Sequence, residues 1–287
     1  MWQSRRVDSS LVTGILAVVF GLILGSFLNV CIIRIPAGRS IVRPASACPK
    51  CGAAIRPYDN IPVVSYLLLG GKCRGCKTVI SRMYPTVELL TAALFWGCYR
   101  VYGPTPEAVK WAVFSAVMVV LVFTDLRERI LPDVVNYPGL AAGLGFSLLI
   151  PTGDGTAGWL ANRFFAHAPG PAAISLADAV LGAVLGGGLL WTVSKVYFLL
   201  RKREGMGMGD VKMMLMTGAF FGVKRTLLTI FAGSLLGSTL GVVFILVRRK
   251  ESNYELPFGT FLGLAAMLAV FFGTPVVSWY QSLLLAR

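Results

Sequence analysis

Apolar residues gather in long unbroken blocks along this chain, with no sustained two-residue alternation of a half-buried strand. The blocks fall near 11–33, 84–102, 108–124, 134–150, 173–199, 208–222, 226–247 and 257–280. About 20 mostly apolar residues carry an α-helix across the hydrocarbon core, and a backbone in lipid must satisfy its own polar groups. The pattern therefore predicts an all-α polytopic membrane protein with about eight transmembrane helices. The sixth block is short and opens on Gly207-Met208-Gly209-Asp210, so its start is the least defined. Gly182 with Gly186, and Gly233 with Gly237 and Gly241, have the small-xxx-small spacing that lets two helices approach closely. One sizeable polar stretch interrupts the blocks. It divides the chain into a first transmembrane helix (1–33), a cytoplasmic loop (34–82) and a helical membrane core (83–287).

Charge orients this arrangement. The 34–82 loop carries nine Lys/Arg, and with alternating spans the side holding it collects eighteen basic residues against eight on the other. That asymmetry places the loop in the cytoplasm. Lys195, near the end of the fifth span, is free to snorkel to the same face. Arg5 and Arg6 before the first apolar run resemble the start of a signal peptide, but no small-residue cleavage site follows, and the span is expected to be retained.

Composition narrows the chemistry. Only 14% of the 287 residues are charged, against roughly 25% in a soluble domain, and the mean hydropathy is +0.72. The formal charge of +14 therefore points to anionic lipid headgroups, with no nucleic acid among the expected partners. His167 is the single histidine, which removes every site that needs two, and it lies in a Gly/Pro-rich loop with no Gly-x-Ser-x-Gly elbow in the chain. A solvated loop histidine is the expectation.

The polar loop holds two Cys-x-x-Cys knuckles, Cys48 with Cys51 and Cys73 with Cys76, twenty-one residues apart. Four thiolates at this spacing can close a tetrahedron around zinc, and a site with four protein ligands is structural because no position stays open for water. Lys50, Lys72, Arg74 and Lys77 would offset its negative charge. Two disulfides or four free thiols are the other readings, and a cytoplasmic location opposes disulfides. Cys31 and Cys98 lie inside spans without partners at metal spacing.

With seven aspartates and six glutamates in the chain, an acid at the edge of an apolar block is informative. Asp125 ends the third block, and Asp210 opens the sixth between glycines and Lys212. Both fall on the cytoplasmic side by the charge count. Two carboxyls that share one proton supply a base to activate water and an acid to protonate a leaving amine, which is the machinery of an aspartic protease. Taken singly, each could instead be an interfacial acid neutralised by Arg127, Arg129 or Lys212. Asp133, after Leu131-Pro132, reads as a turn and helix start; Glu88 inside the second span suits helix packing or substrate binding equally.

With these features in order, the sequence resembles the bacterial type IV prepilin peptidases, membrane aspartic proteases also called leader peptidase/N-methyltransferases. The resemblance runs through Gly25-Ser26-Phe27-Leu28-Asn29-Val30, both knuckles, Asn60-Ile61-Pro62-Val63-Val64-Ser65-Tyr66, Tyr84-Pro85-Thr86-Val87-Glu88, Asp125 with Leu131-Pro132-Asp133, and the G-x-G-D motif at Gly207 to Asp210. It implies an eight-span inner-membrane enzyme whose active site faces the cytoplasm, cleaving the basic leader of type IV prepilins and type II secretion pseudopilins. Asp125 and Asp210 match the family's catalytic aspartates. The cysteine loop marks the branch that then methylates the new N-terminal amine from S-adenosylmethionine. No residue can be assigned to the methyl donor, and Asp59, Asp133 and Glu204 are too few to form a leader-binding patch.

Two readings from other classes use the same residues. A proton- or ion-coupled transporter could carry charge on Asp125 and Asp210, although no inverted repeat is visible and both acids fall at one face. An adaptor could use the zinc loop to dock an assembly machine without catalysis.

Overall fold

The apolar blocks fold as helices in the computed structural model, which describes residues 2–164, 170–203, 205–248 and 257–285. His167 and Glu204 lie outside the described residues. In chain order the helices are α1 (Trp2–Arg34), α2 (Val64–Leu68), α3 (Met83–Tyr102), α4 (Pro106–Glu128), α5 (Asp133–Leu149), α6 (Thr156–Phe164), α7 (Pro171–Arg201), α8 (Met208–Arg248) and α9 (Phe258–Leu285), with a 3-10 turn at Pro57–Asn60. No β-strand occurs among the described residues; two isolated bridges, Ala47 with Ala54 and Lys72 with Val79, are the sole extended pairings there. Among the described residues, five helices are long and apolar enough to cross a membrane: Leu11–Arg34, Pro106–Glu128, Pro171–Arg201, Met208–Val243 and Phe258–Leu283. The expected count of eight differs from this in three places. α5 has 17 residues, roughly 26 Å of helix against a hydrocarbon core of about 30 Å. α3 carries Glu88 and Arg100 along its 20 residues. The expected sixth and seventh blocks both lie in α8.

The chain forms two compact units, Met1–Val120 and Leu121–Arg287, with the boundary inside α4. In the first, α1 lies against α3 through glycine. A Cβ on Gly21 would stand 2.7 Å from the Cα of Ala92, and one on Gly25 would stand 2.7 Å from the Cα of Glu88. Asn29 locks the seam, donating from Nδ2 to the carbonyls of Tyr84 (3.0 Å) and Gly25 (3.3 Å). Glu88 is buried there, and its Oε2 accepts the N–H of Val63 at 2.8 Å. Val63 has φ 60 and ψ −48, a conformation that a β-branched residue adopts only under restraint. Glu88 supplies that restraint and anchors the polar loop to the helix pair.

In the second unit, α8 is a hairpin. Gly222 breaks it with φ 75 and ψ −167, a region almost closed to residues with a Cβ. A Cβ on Gly186 of α7 would meet both the Met214 carbonyl (2.6 Å) and the Thr226 methyl (2.8 Å). Residues twelve apart in a straight helix would be about 18 Å apart, so the chain doubles back at Gly222 and packs both arms on α7. The two apolar blocks of the sequence are therefore the two arms of α8, which meet at Gly222. Gly182 and Gly218 meet at the same seam, each within 2.4 Å of the other's carbonyl if given a Cβ, and Gly233 rests on Leu262 of α9. The expected helix-packing role of these small residues is what the structure contains.

Asp154 closes the bend. Its Oδ1 accepts the Lys224 N–H at 2.8 Å, a donor that the break at Gly222 releases from helical pairing, and Lys224 Nζ donates back to the Asp154 carbonyl. Asp178 of α7, 2% exposed, accepts the N–H groups of Gly155 (3.1 Å) and Ala157 (2.6 Å) at the start of α6. Arg225 donates to the Thr152 carbonyl. Gly222→Ala is expected to cost roughly 3 kcal/mol or more, since the new methyl would sit 2.6 Å from Asp154 Cβ in a forbidden conformation. A thermal midpoint in detergent within 2 °C of wild type, taken as an approximate error bound, would refute the hairpin assignment.

Candidate active site

Asp125 stands in the last full turn of α4 and Asp210 in the first turn of α8, 6% and 8% exposed. The two carboxylates converge beside Gly259, the second residue of α9. A Cβ built on Gly259 would lie 2.8 Å from Asp210 Oδ1 and 3.2 Å from Asp125 Oδ2, so both oxygens border one small space. The sequence-predicted pair is therefore brought together, within the second unit.

Their settings differ. Asp125 Oδ2 accepts two hydrogen bonds from Thr260, the backbone N–H at 2.6 Å and the hydroxyl at 2.7 Å. That N–H is one of the first-turn donors of α9 that have no partner inside the helix. Asp210 Oδ1 is buried with no hydrogen-bond partner among the described residues. A buried carboxylate oxygen left this way is costly, and it is the natural place for a water or a substrate group.

Leu131 explains much of the surrounding sequence. A Cβ on Gly209 would lie 2.8 Å from Leu131 Cβ, and a Cβ on Gly259 would lie 2.8 Å from Leu131 Cδ1. Gly209 thus lets the start of α8 close onto Leu131, which is the physical need for the second glycine of the G-x-G-D motif. Buried Asn136 donates from Nδ2 to the Leu131 carbonyl at 3.2 Å and holds the wedge. Asp133 stays apart from the pair. It bonds Lys212 at 2.7 and 2.8 Å, with both side chains partly exposed (53% and 24%). Lys212 therefore serves a rim ion pair. Replacing it with Met should leave the thermal midpoint in detergent close to that of wild type, and a marked drop would assign it a deeper role.

Gly259, Thr260 and Asn136 were not legible as site residues. A signal for the first two exists: Pro257-Phe258-Gly259-Thr260 places a helix start with a hydroxyl and a minimal side chain directly after a polar stretch.

The four knuckle cysteines also come together, in the first unit, with their sulfurs within 4.8 Å of one another. Cys48 and Cys76 Sγ lie 3.8 Å apart; zinc–sulfur bonds of about 2.3 Å put tetrahedral sulfurs roughly 3.8 Å apart. The donor set fits a structural ion. The two knuckles are copies offset by 25 positions: Cys48 N–H donates to the Ala53 carbonyl and Cys73 N–H to the Thr78 carbonyl, and left-handed Gly52 (φ 70) has its counterpart in Lys77 (φ 56). Arg74, inside the second knuckle, forks onto Asp59 with contacts of 2.6 to 3.1 Å, and this pairing holds the Asp59 carboxyl below the usual range.

Comparison with known proteins bears on both sites. Residues 19–102 match the family described as Bacterial Peptidase A24 N-terminal domain, and residues 112–242 match the Type IV leader peptidase family. A curated protein of Pseudomonas aeruginosa, "Prepilin leader peptidase/N-methyltransferase", is 36% identical over 92% of this chain and 91% of its own length. One of the same name from Aeromonas hydrophila is 33% identical over 92% of each. A third, from Myxococcus xanthus, is 37% identical over 84% of this chain and 67% of its own. No solved structure gives a significant match.

Proposed function

We propose, from the premise that the chain belongs to the type IV leader peptidase family, that Asp125 and Asp210 are the catalytic pair of an aspartic endopeptidase. The activity is that of a prepilin leader peptidase and N-methyltransferase, removing the leader of a prepilin and methylating the amine so exposed. What carries the assignment is the convergence of two buried carboxylates on one point beside Gly259. Two buried carboxyls that border one small space can share a proton, so that one takes a proton from the attacking water while the other protonates the leaving amine. Burial strengthens each interaction with the developing charge.

The wider reading follows the substrate. The enzyme is a multi-pass inner-membrane protein whose dyad faces the cytoplasm, where a basic leader meets the apolar helix of a type IV prepilin or type II secretion pseudopilin. The basic excess on that side, eighteen Lys/Arg against eight, supports the orientation. The first helix (1–33) and the seven apolar blocks of the membrane core (83–287) make the eight passages, with the 34–82 loop closed by a structural zinc on Cys48, Cys51, Cys73 and Cys76. S-adenosylmethionine is the methyl donor.

The test is a mass-spectrometric assay of a purified prepilin in lipid, with and without S-adenosylmethionine. The expected result is loss of the leader's mass in both samples and one added methyl group only with the donor. Intact prepilin after incubation with folded enzyme overturns the reading.

A further inference from the structure

We infer that Gly259 and Thr260, the entry to α9, set the geometry of the aspartate pair: Thr260 clamps Asp125 Oδ2, and Gly259 keeps open the gap that Asp210 Oδ1 and Asp125 Oδ2 border. This rests on the reading of the two aspartates as the reacting pair and adds two positioning residues to it. Neither residue touches the scissile bond in this assignment; both act through the carboxylates.

The observations come from independent parts of the site. The Thr260 N–H and hydroxyl both end on one oxygen, at 2.6 and 2.7 Å, in a position where Thr260 is 3% exposed. The N–H is an obligate donor, so Oδ2 is an acceptor and any proton on Asp125 is carried by Oδ1. Asp210 Oδ1, by contrast, has no partner among the described residues. The dyad is thus asymmetric: one carboxylate is held at a fixed angle and the other presents an open oxygen. A symmetric pair would have to find the reactive arrangement anew in each turnover, whereas a fixed partner prepays that positioning. Gly259 is needed for a different reason. Its backbone is helical, and the constraint is space: a methyl there would stand 2.8 Å from Asp210 Oδ1 and 3.2 Å from Asp125 Oδ2, where the attacking water must enter.

A capping role alone makes a different prediction. If Asp125 merely caps α9, losing the Thr260 hydroxyl lowers stability and leaves turnover intact. Thr260→Val keeps the branched shape and the N–H while deleting the hydroxyl donor. It should lower kcat roughly 10- to 100-fold, as expected for one hydrogen bond to a charged group, with KM within about twofold of wild type. Thr260→Ser should restore most of the loss. Gly259→Ala should abolish leader removal while methylation of a pre-cleaved pilin, measured in the same preparation, continues and reports a folded chain. Wild-type kcat in Thr260→Val, or a fall that Thr260→Ser shares in full, overturns the positioning role, as does a Gly259→Ala enzyme that cleaves normally. Asp125→Asn and Asp210→Asn run alongside: if they cleave, the reading of the dyad itself has failed, and if they are inactive while Thr260→Val is not, only the present inference has.

Discussion

Asp125→Asn and Asp210→Asn should each lower leader cleavage about 10,000-fold or more, with the thermal midpoint and the methylation of a pre-cleaved pilin little changed. General acid and general base contributions run to roughly 10² to 10⁴ each, and groups that act as a unit lose nearly everything when either is removed. Asparagine preserves shape. At position 125 its carbonyl can still accept the Thr260 N–H that Asp125 Oδ2 accepts at 2.6 Å, so α9 keeps its first-turn partner. At position 210 the replaced oxygen is one that no neighbour among the described residues holds, and the packing of Gly209 on Leu131 is untouched. The measurement is single-turnover cleavage followed by mass spectrometry. Near-normal turnover in either variant would remove the aspartic mechanism, and a variant that also lost methylation of the pre-cleaved substrate would point to a damaged fold instead.

How far the sequence reaches depends on whether a feature is written in composition or in contact. The helices at 84–102, 108–124, 134–150, 173–199 and 257–280 are legible because lipid demands long apolar blocks, and α3, α4, α5, α7 and α9 lie where those blocks fall. The break near 222 is legible as two blocks, yet its form is not: the connection is one glycine in an otherwise forbidden conformation, stabilised by Asp154 from another part of the chain. Asp154 and Asp178 escape notice for the same reason. Each is buried and hydrogen-bonded to backbone donors, and Asp178 sits inside an apolar block where it reads as an isolated polar residue. α6 is missed because nine residues of mixed polarity after Gly155 carry too short a period to separate from a loop. Asp125 and Asp210 stand out because acids are rare beside apolar blocks. Thr260 does not, since a threonine in an apolar helix most often bonds its own preceding turn, as Thr217, Thr226 and Thr229 do here. Its partner is 135 residues away, and no local pattern encodes that.

Stripping the metal should unfold the cysteine loop, because almost no apolar burial holds it together. Between residues 34 and 82 the sole apolar side chain that is buried is Cys48 itself, while Ile41, Val42, Ile55, Tyr58, Ile61, Val64, Leu67, Leu68 and Val79 are exposed. Burial of apolar area is the usual source of folding free energy, and a segment of this size without it depends on cross-links or metal. What remains is polar: the two knuckle turns, the Arg74–Asp59 pair, the Glu88–Val63 tether and further loop hydrogen bonds such as Ser65 Oγ to the Tyr58 carbonyl and Ile80 N–H to the Gly71 carbonyl. An ion pair at the surface of a loop contributes little to its stability, whereas structural zinc on four thiolates contributes on the order of 10 kcal/mol or more in small domains. Chain purified without chelator should therefore hold one zinc per molecule, cobalt substitution should give the absorption of tetrahedral thiolate coordination, and Cys48→Ser or Cys76→Ser should expose the loop to protease at concentrations that spare wild type. Chelator should act likewise, reversibly on adding zinc back. Metal-free protein with an intact, protease-resistant loop would show that hydrogen bonding and the Glu88 tether suffice, and a pair of disulfides found by mapping would replace the ion as the cross-link.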